Sequence, residues 1–124
     1  MPITTIYNES LDIVEASWAG IITKKELLDT NDEHIRLHKK NGVQKFLNDL
    51  LLVEILSLNV FDLFELPNHK YEEATASRKV QIAIITPSTS EITELIGFYK
   101  TACSNRGWHV HVFTERDKAI EWLA

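Results

Sequence analysis

Apolar residues along this chain fall into blocks that alternate between the two-residue period of strands and the 3.6-residue period of helices. Ile3 to Tyr7 is rich in β-branched residues, and Asn8-Glu9-Ser10 makes a polar turn. From Leu11 to Trp18, Val14, Ala16 and Trp18 then alternate with Ile13, Glu15 and Ser17. That is the pattern of an antiparallel hairpin. Gly20 breaks it, and Thr23-Lys24-Lys25-Glu26 has the spacing of a capping box, in which a hydroxyl and a carboxylate each satisfy an unpaired amide at a helix start. A first helix follows and ends near Asn41-Gly42.

Val43 to Leu50 is expected as a third strand, with Leu51-Leu52-Val53 blurring its end. Ser57 is placed to cap a second helix that runs to about Leu66 and is stopped by Pro67. The polar, aperiodic stretch from Asn68 to Arg78 is expected as a surface connection with room for a helical turn. Val80 to Thr86 is a nearly continuous apolar run, as in a strand covered on both faces. Ser88 and Glu91 have capping-box spacing for a third helix, whose stripe Ile92, Leu95, Ile96, Tyr99 and Cys103 faces a core. Asn105-Arg106-Gly107 closes it, and Trp108 to Phe113 forms a fifth strand. Thr114 is placed to cap a last helix that turns Ala119, Ile120 and Leu123 inward.

The resulting order, β-β-α-β-α-β-α-β-α, predicts an α/β fold. Strands separated by helices pair in parallel, and the hairpin adds one antiparallel neighbour to a mixed five-stranded sheet covered by helices. At 124 residues the whole chain, 1–124, fits a single domain with one core.

Composition narrows the function. No apolar run approaches the roughly 20 residues of a membrane span, and the start of the chain lacks the basic-then-apolar pattern of an export signal, so a cytoplasmic protein is expected. The single cysteine, Cys103, permits no internal disulfide and no multi-cysteine zinc site, and its place on the inward stripe disfavours a reactive thiolate. A net charge of -5 with only short lysine pairs argues against nucleic acid as a partner.

The hairpin ends in Gly20-Ile21-Ile22-Thr23 with Glu26 just beyond, and strand three ends around Asp49. Strand four reads Val80-Gln81-Ile82-Ala83-Ile84-Ile85, and the tail reads Val110-His111-Val112-Phe113-Thr114 then Ala119-Ile120-Glu121-Trp122-Leu123. On these features, spanning nearly the whole chain, it resembles the SpoIIAA-like fold of STAS domains and anti-sigma factor antagonists. It is most similar to the small stand-alone bacterial SpoIIAA-like proteins. The antagonists carry a phosphorylatable serine just after strand three in an Asp-Ser-Ser-Gly-like stretch. The corresponding region here, Glu54-Ile55-Leu56-Ser57-Leu58-Asn59, has Ser57 as its only hydroxyl and neither an Asp-Ser pair nor a glycine. The resemblance implies a fold and no defined activity.

Helix two is the compositional oddity: Leu58, Val60, Phe61, Leu63, Phe64 and Leu66 occupy more than one face of about three turns. Either the Asn68 to Arg78 connection covers it, or its outer face lines an apolar pocket or meets another subunit. His34 and His38 share a helix face, but Ile35 stands where a zinc protease would carry its glutamate. His109 and His111 share a strand face, and no third ligand is fixed, so no metal is expected. Thr86, Ser88, Thr89 and Ser90 gather hydroxyls at a sheet edge where ligands of open α/β sheets bind, without the glycine of a phosphate loop. Asp49 lies at a similar edge and reads as a structural hydrogen-bonding group. Trp18, Trp108 and Trp122 read as core, and no Gly-x-Ser-x-Gly elbow is present.

The leading expectation is a non-enzymatic interaction or regulatory module, homodimeric or with a protein partner, needing no cofactor. Its surface would comprise Ser57, Leu58, Val60, Phe61, Leu63, Phe64, Asp49, Thr86 and Ser88. The alternative is a binding protein for a small apolar or lipid-like ligand held between helix two and the sheet, with the hydroxyls from Thr86 to Ser90 at its mouth.

Overall fold

In the computed structural model, which describes residues 2–74, 76–88 and 90–124, five strands lie side by side in chain order. β1 (Ile3–Asn8) and β2 (Ile13–Thr23) pair antiparallel, and β3 (Lys45–Ser57), β4 (Gln81–Ile85) and β5 (His109–Phe113) add in parallel. The helical elements are α1 (Lys24–Asn41), α2 (Val60–Glu65), a π-helical stretch (Leu66–Lys70), α3 (Tyr71–Glu73), α4 (Glu91–Asn105) and α5 (Arg116–Leu123).

Alternation along the strands divides the core in two. Ala16, Trp18, Leu50, Ile84 and Val110 face α1, the α2–α3 segment and α4, where Leu27, Leu63, Leu66, Tyr71, Ile96 and Tyr99 meet them. Ile13, Leu47, Ala83 and Ile85 face the other way and are sealed by Ala119 and Leu123 of α5. β4 is therefore covered on both sides, as its apolar run implies, whereas β2 and β3 leave Ile21, Leu52 and Ile55 exposed towards their far ends.

The capping box at Thr23 forms in full: the hydroxyl accepts from the Glu26 amide at 3.2 Å, and the Glu26 carboxylate accepts from the Thr23 amide at 2.9 Å. α1 ends at Gly42, whose left-handed φ of 72° carries its amide to the His38 carbonyl at 3.0 Å.

Several expected boundaries are corrected. β2 continues through Gly20 to Thr23, and two register shifts against β3, between Ser17 and Ala19 and between Gly20 and Ile21, absorb the break as bulges. β3 runs on to Ser57, so Ser57 ends a strand instead of capping a helix. The cap is Asn59, which exchanges both hydrogen bonds with Asp62. Pro67 does not stop the helix: it enters the π-helical stretch near its start, where a missing amide costs little, and the chain stays helical to Glu73. Ser90, not Ser88, caps α4, accepting from the Thr93 amide at 3.1 Å. α5 starts after Glu115 with no side-chain cap from Thr114.

Candidate functional site

Between α1, the α2–α3 segment, α4 and the sheet lies a cavity of about 110 Å³ with an almost wholly apolar wall. β2 and β3 supply Trp18, Phe46, Asn48 and Leu50, β4 supplies Ile82 and Ile84, and Trp108 precedes β5. Leu63, Leu66 and Tyr71 come from the α2–α3 segment, and Ile96 and Tyr99 from α4. Asn31, Ile35 and His38 of α1 and Leu58 and Ala76 across from them are only half-buried, so the wall is thinnest along the seam between those two segments.

Polar contacts bridge that seam. Lys24 Nζ stands 3.1 Å from the Asp62 carboxylate and Lys70 Nζ 3.8 Å from Asp32. Lys39 Nζ donates to the Ala74 carbonyl at 2.7 Å. His38 is held at both ring nitrogens: Nδ1 donates to the Val43 carbonyl at 2.7 Å and Nε2 accepts from the Ser77 amide at 3.2 Å, which fixes one neutral tautomer. The sequence pairs His34 with His38 on one helix face, but the structure gives them different work. His34 stacks on Phe46 with ring centroids 5.3 Å apart, and burial lowers its pKa to about 4. Among the described residues no three His, Cys, Asp or Glu side chains gather as a metal site.

Three buried nitrogens of the cavity wall have no hydrogen-bond partner: Asn31 Nδ2, His34 Nε2 and Trp108 Nε1. Trp108 is held from two sides, by the Arg78 guanidinium 3.6 Å from its ring centroid and by the edge of Tyr71 at 5.5 Å. Arg78 is itself fixed to Glu72 at 2.6 Å and to the Arg106 carbonyl at 3.1 Å. Asn48 Oδ1, by contrast, accepts Trp18 Nε1–H at 3.1 Å and is satisfied.

Deeper in the wall, the Tyr71 and Tyr99 hydroxyls share a 2.5 Å hydrogen bond, and both phenols are raised above their ordinary pKa by burial. Beside them burial pushes the Cys103 thiol up to about 12, so it is protonated and inert at neutral pH. Tyr99→Phe is expected to cost about 1–3 kcal/mol because it strands the Tyr71 hydroxyl, whereas Tyr71→Phe/Tyr99→Phe recovers most of that loss. Urea unfolding of the two single variants and the double variant reads this directly. Simple additivity of the single costs would refute the coupling.

The expected surface residues separate. Leu58 and Leu63 line the cavity, Leu63 from a fully packed position. Val60 and Phe64 are half-buried, and Phe61 is 71% exposed. Ser57 and Ser88 are exposed, and Thr86 is buried at the end of β4 with an unpaired hydroxyl. None of these three is part of the cavity wall, so the hydroxyls do not form its mouth; Thr89 lies outside the described residues. Asp49 lies within β3 and accepts from the Leu51 amide at 3.0 Å, a structural use. Trp18 and Trp108 are buried, while Trp122 is half-buried against His111 and Phe113 on the α5 side. Asn31 and Trp108 Nε1 escape sequence reading, since only the tertiary arrangement leaves them unpaired.

A five-stranded mixed sheet in chain order with one antiparallel edge strand and this helical cover defines a SpoIIAA-like fold. The chain is similar to the crystal structure of an uncharacterized protein of the DUF3478 family with a SpoIIAA-like fold from Shewanella loihica PV-4. The TM-score is 0.61 at 19% identity, over 98% of this chain and 94% of that one. No family model matches the chain, and no curated protein matches it significantly.

Proposed function

We propose that this protein is a non-enzymatic binding module that holds a small, mainly apolar molecule in the cavity beneath α1 and the α2–α3 segment. The observation that carries this reading is the cavity itself. Protein interiors close to near-crystalline density, and an unfilled space of about 110 Å³ among Leu, Ile, Phe and Trp side chains forfeits dispersion contacts that a ligand restores. Its volume approaches that of an apolar cavity of about 150 Å³ that takes up benzene or xenon.

A second reading, docking of a protein partner or a second copy, draws on exposed apolar side chains. Leu52, Phe61, Ile21 and Ile55 are 74%, 71%, 56% and 53% exposed, and Ile21 pairs with Ile55 on the outer face of the β2–β3 extension. Larger exposed apolar patches than a monomer ordinarily carries mark contact sites.

Two measurements address both. Native mass spectrometry of gently purified protein is expected to show a retained small-molecule adduct, and NMR after exposure to benzene or xenon is expected to show a cavity-specific change in the methyl resonances of Leu63 and Ile96. The mass spectrum also reports subunit number. Ala76→Leu places three further carbons into the cavity, and is expected to raise stability by about 1 kcal/mol while abolishing probe uptake. A clean apo mass together with unresponsive methyl resonances would defeat the ligand reading, and a strict monomer at tens of micromolar would defeat the dimer.

A further inference from the structure

Two of the three unpaired polar atoms of the cavity wall are donors. Trp108 Nε1–H can only donate, Asn31 Nδ2 is an amide donor, and His34 Nε2 takes either role in a neutral ring. The Arg78 guanidinium over the indole face draws on the ring's π-electrons and makes Trp108 Nε1–H a stronger donor. Acceptors elsewhere in the wall are engaged: Asn48 Oδ1 receives Trp18 Nε1–H, and the Tyr71 and Tyr99 hydroxyls bind each other. No Lys, Arg, Asp or Glu belongs to the cavity wall among the described residues.

Resting on the ligand reading above, we propose that the bound molecule presents an uncharged carbonyl oxygen to Trp108 Nε1 and Asn31 Nδ2 from a small apolar body. The alternatives fail on charge and valence. A carboxylate would enter a site with no counter-charge and lose its hydration, and an ammonium group would lose its hydration with no carboxylate in the wall to replace it. A hydrocarbon would leave the donors stranded, at about 1–3 kcal/mol each. A ketone, aldehyde, ester or amide oxygen accepts two hydrogen bonds and brings no charge to desolvate. A volume of about 110 Å³ suits about four to six heavy atoms, with any longer portion passing through the seam at Ile35 and Ala76.

The test uses the ¹⁵N-labelled protein and the three indole N–H resonances, with Trp108 assigned through Trp108→Phe. Cyclopentanone is titrated beside its near-isostere methylenecyclopentane, and beside butanoate and cyclopentylamine as anionic and cationic probes. Cyclopentanone is expected to bind about tenfold more tightly than methylenecyclopentane and to move the Trp108 N–H resonance downfield, while the already paired Trp18 N–H stays in place. Trp108→Phe and, independently, Asn31→Leu are expected to shrink that preference while retaining hydrocarbon binding. Equal affinity for the ketone and the hydrocarbon, or tighter binding of either ion, would overturn the carbonyl assignment and leave the cavity reading intact. Failure of every probe, the hydrocarbon included, would overturn the cavity reading itself.

Discussion

Lowering the pH from 7 to 4 is expected to weaken the fold by about 3 kcal/mol through His34 alone. The ring is stacked on Phe46 with its Nε2 out of reach of water, and burial lowers its pKa from the ordinary 6.5 to about 4. An unfolded chain therefore takes up a proton below pH 6.5 that the folded chain refuses until about 4. Stability is full above 6.5, declines between the two values and levels off below the lower one. Urea midpoints across this range give the slope, and His34→Leu, which cannot protonate, is expected to flatten it. His111 on the opposite face of the sheet is shifted in the same direction, chiefly by desolvation, and is present in both proteins. Asp62, held below the usual carboxylate range first by the Asn59 amide, acts at still lower pH. An unaltered slope in His34→Leu would disprove the assignment.

Leu123→Ala is expected to cost about 3 kcal/mol and to lower Tm by roughly 10 °C. Leu123 is completely buried against Ile13, Leu47, Ala83 and Ile85, and α5 is the helix that covers this side of the sheet. Removing three carbons there leaves a hole that packed strands cannot collapse to fill. Phe61→Ala, although it deletes a larger side chain, is expected to change stability by no more than about 0.5 kcal/mol, because that ring is 71% exposed. Thermal melts of both variants decide the matter. A loss under 1 kcal/mol for Leu123→Ala would contradict the packing described. A large loss for Phe61→Ala would show that a partner subunit covers the ring.

The succession of strands and helices along the chain, the Thr23–Glu26 capping box, the Gly42 terminus and the inward Cys103 are legible in the sequence because each follows from local chemistry or simple periodicity. The second helix shows where that logic stops. Ser57 and Asn59 are both competent caps two residues apart, and Asn59 prevails because Asp62 completes its box while β2 keeps Ser57 in the ladder. Pro67 reads as a stop, yet a proline near the start of a new helical register gives up an amide that has little to bond. Leu58 and Leu63, part of the apolar excess of this region, border the cavity. The space itself is a small difference between large packed volumes, and no pattern of residue types encodes it. The unpaired nitrogens of Asn31 and Trp108 are hidden from sequence for a related reason: whether a donor is satisfied depends on segments far away in the chain.

Because the strands stand in the sheet in the order in which they occur in the chain, every pairing joins consecutive strands. The entropy of bringing two strands together is then set by the one segment between them and never by the whole chain. Assembly can advance like a zipper from the β1–β2 hairpin, offering a single growing edge at each stage, and a fault at β3 would isolate β4 and β5 from everything before them.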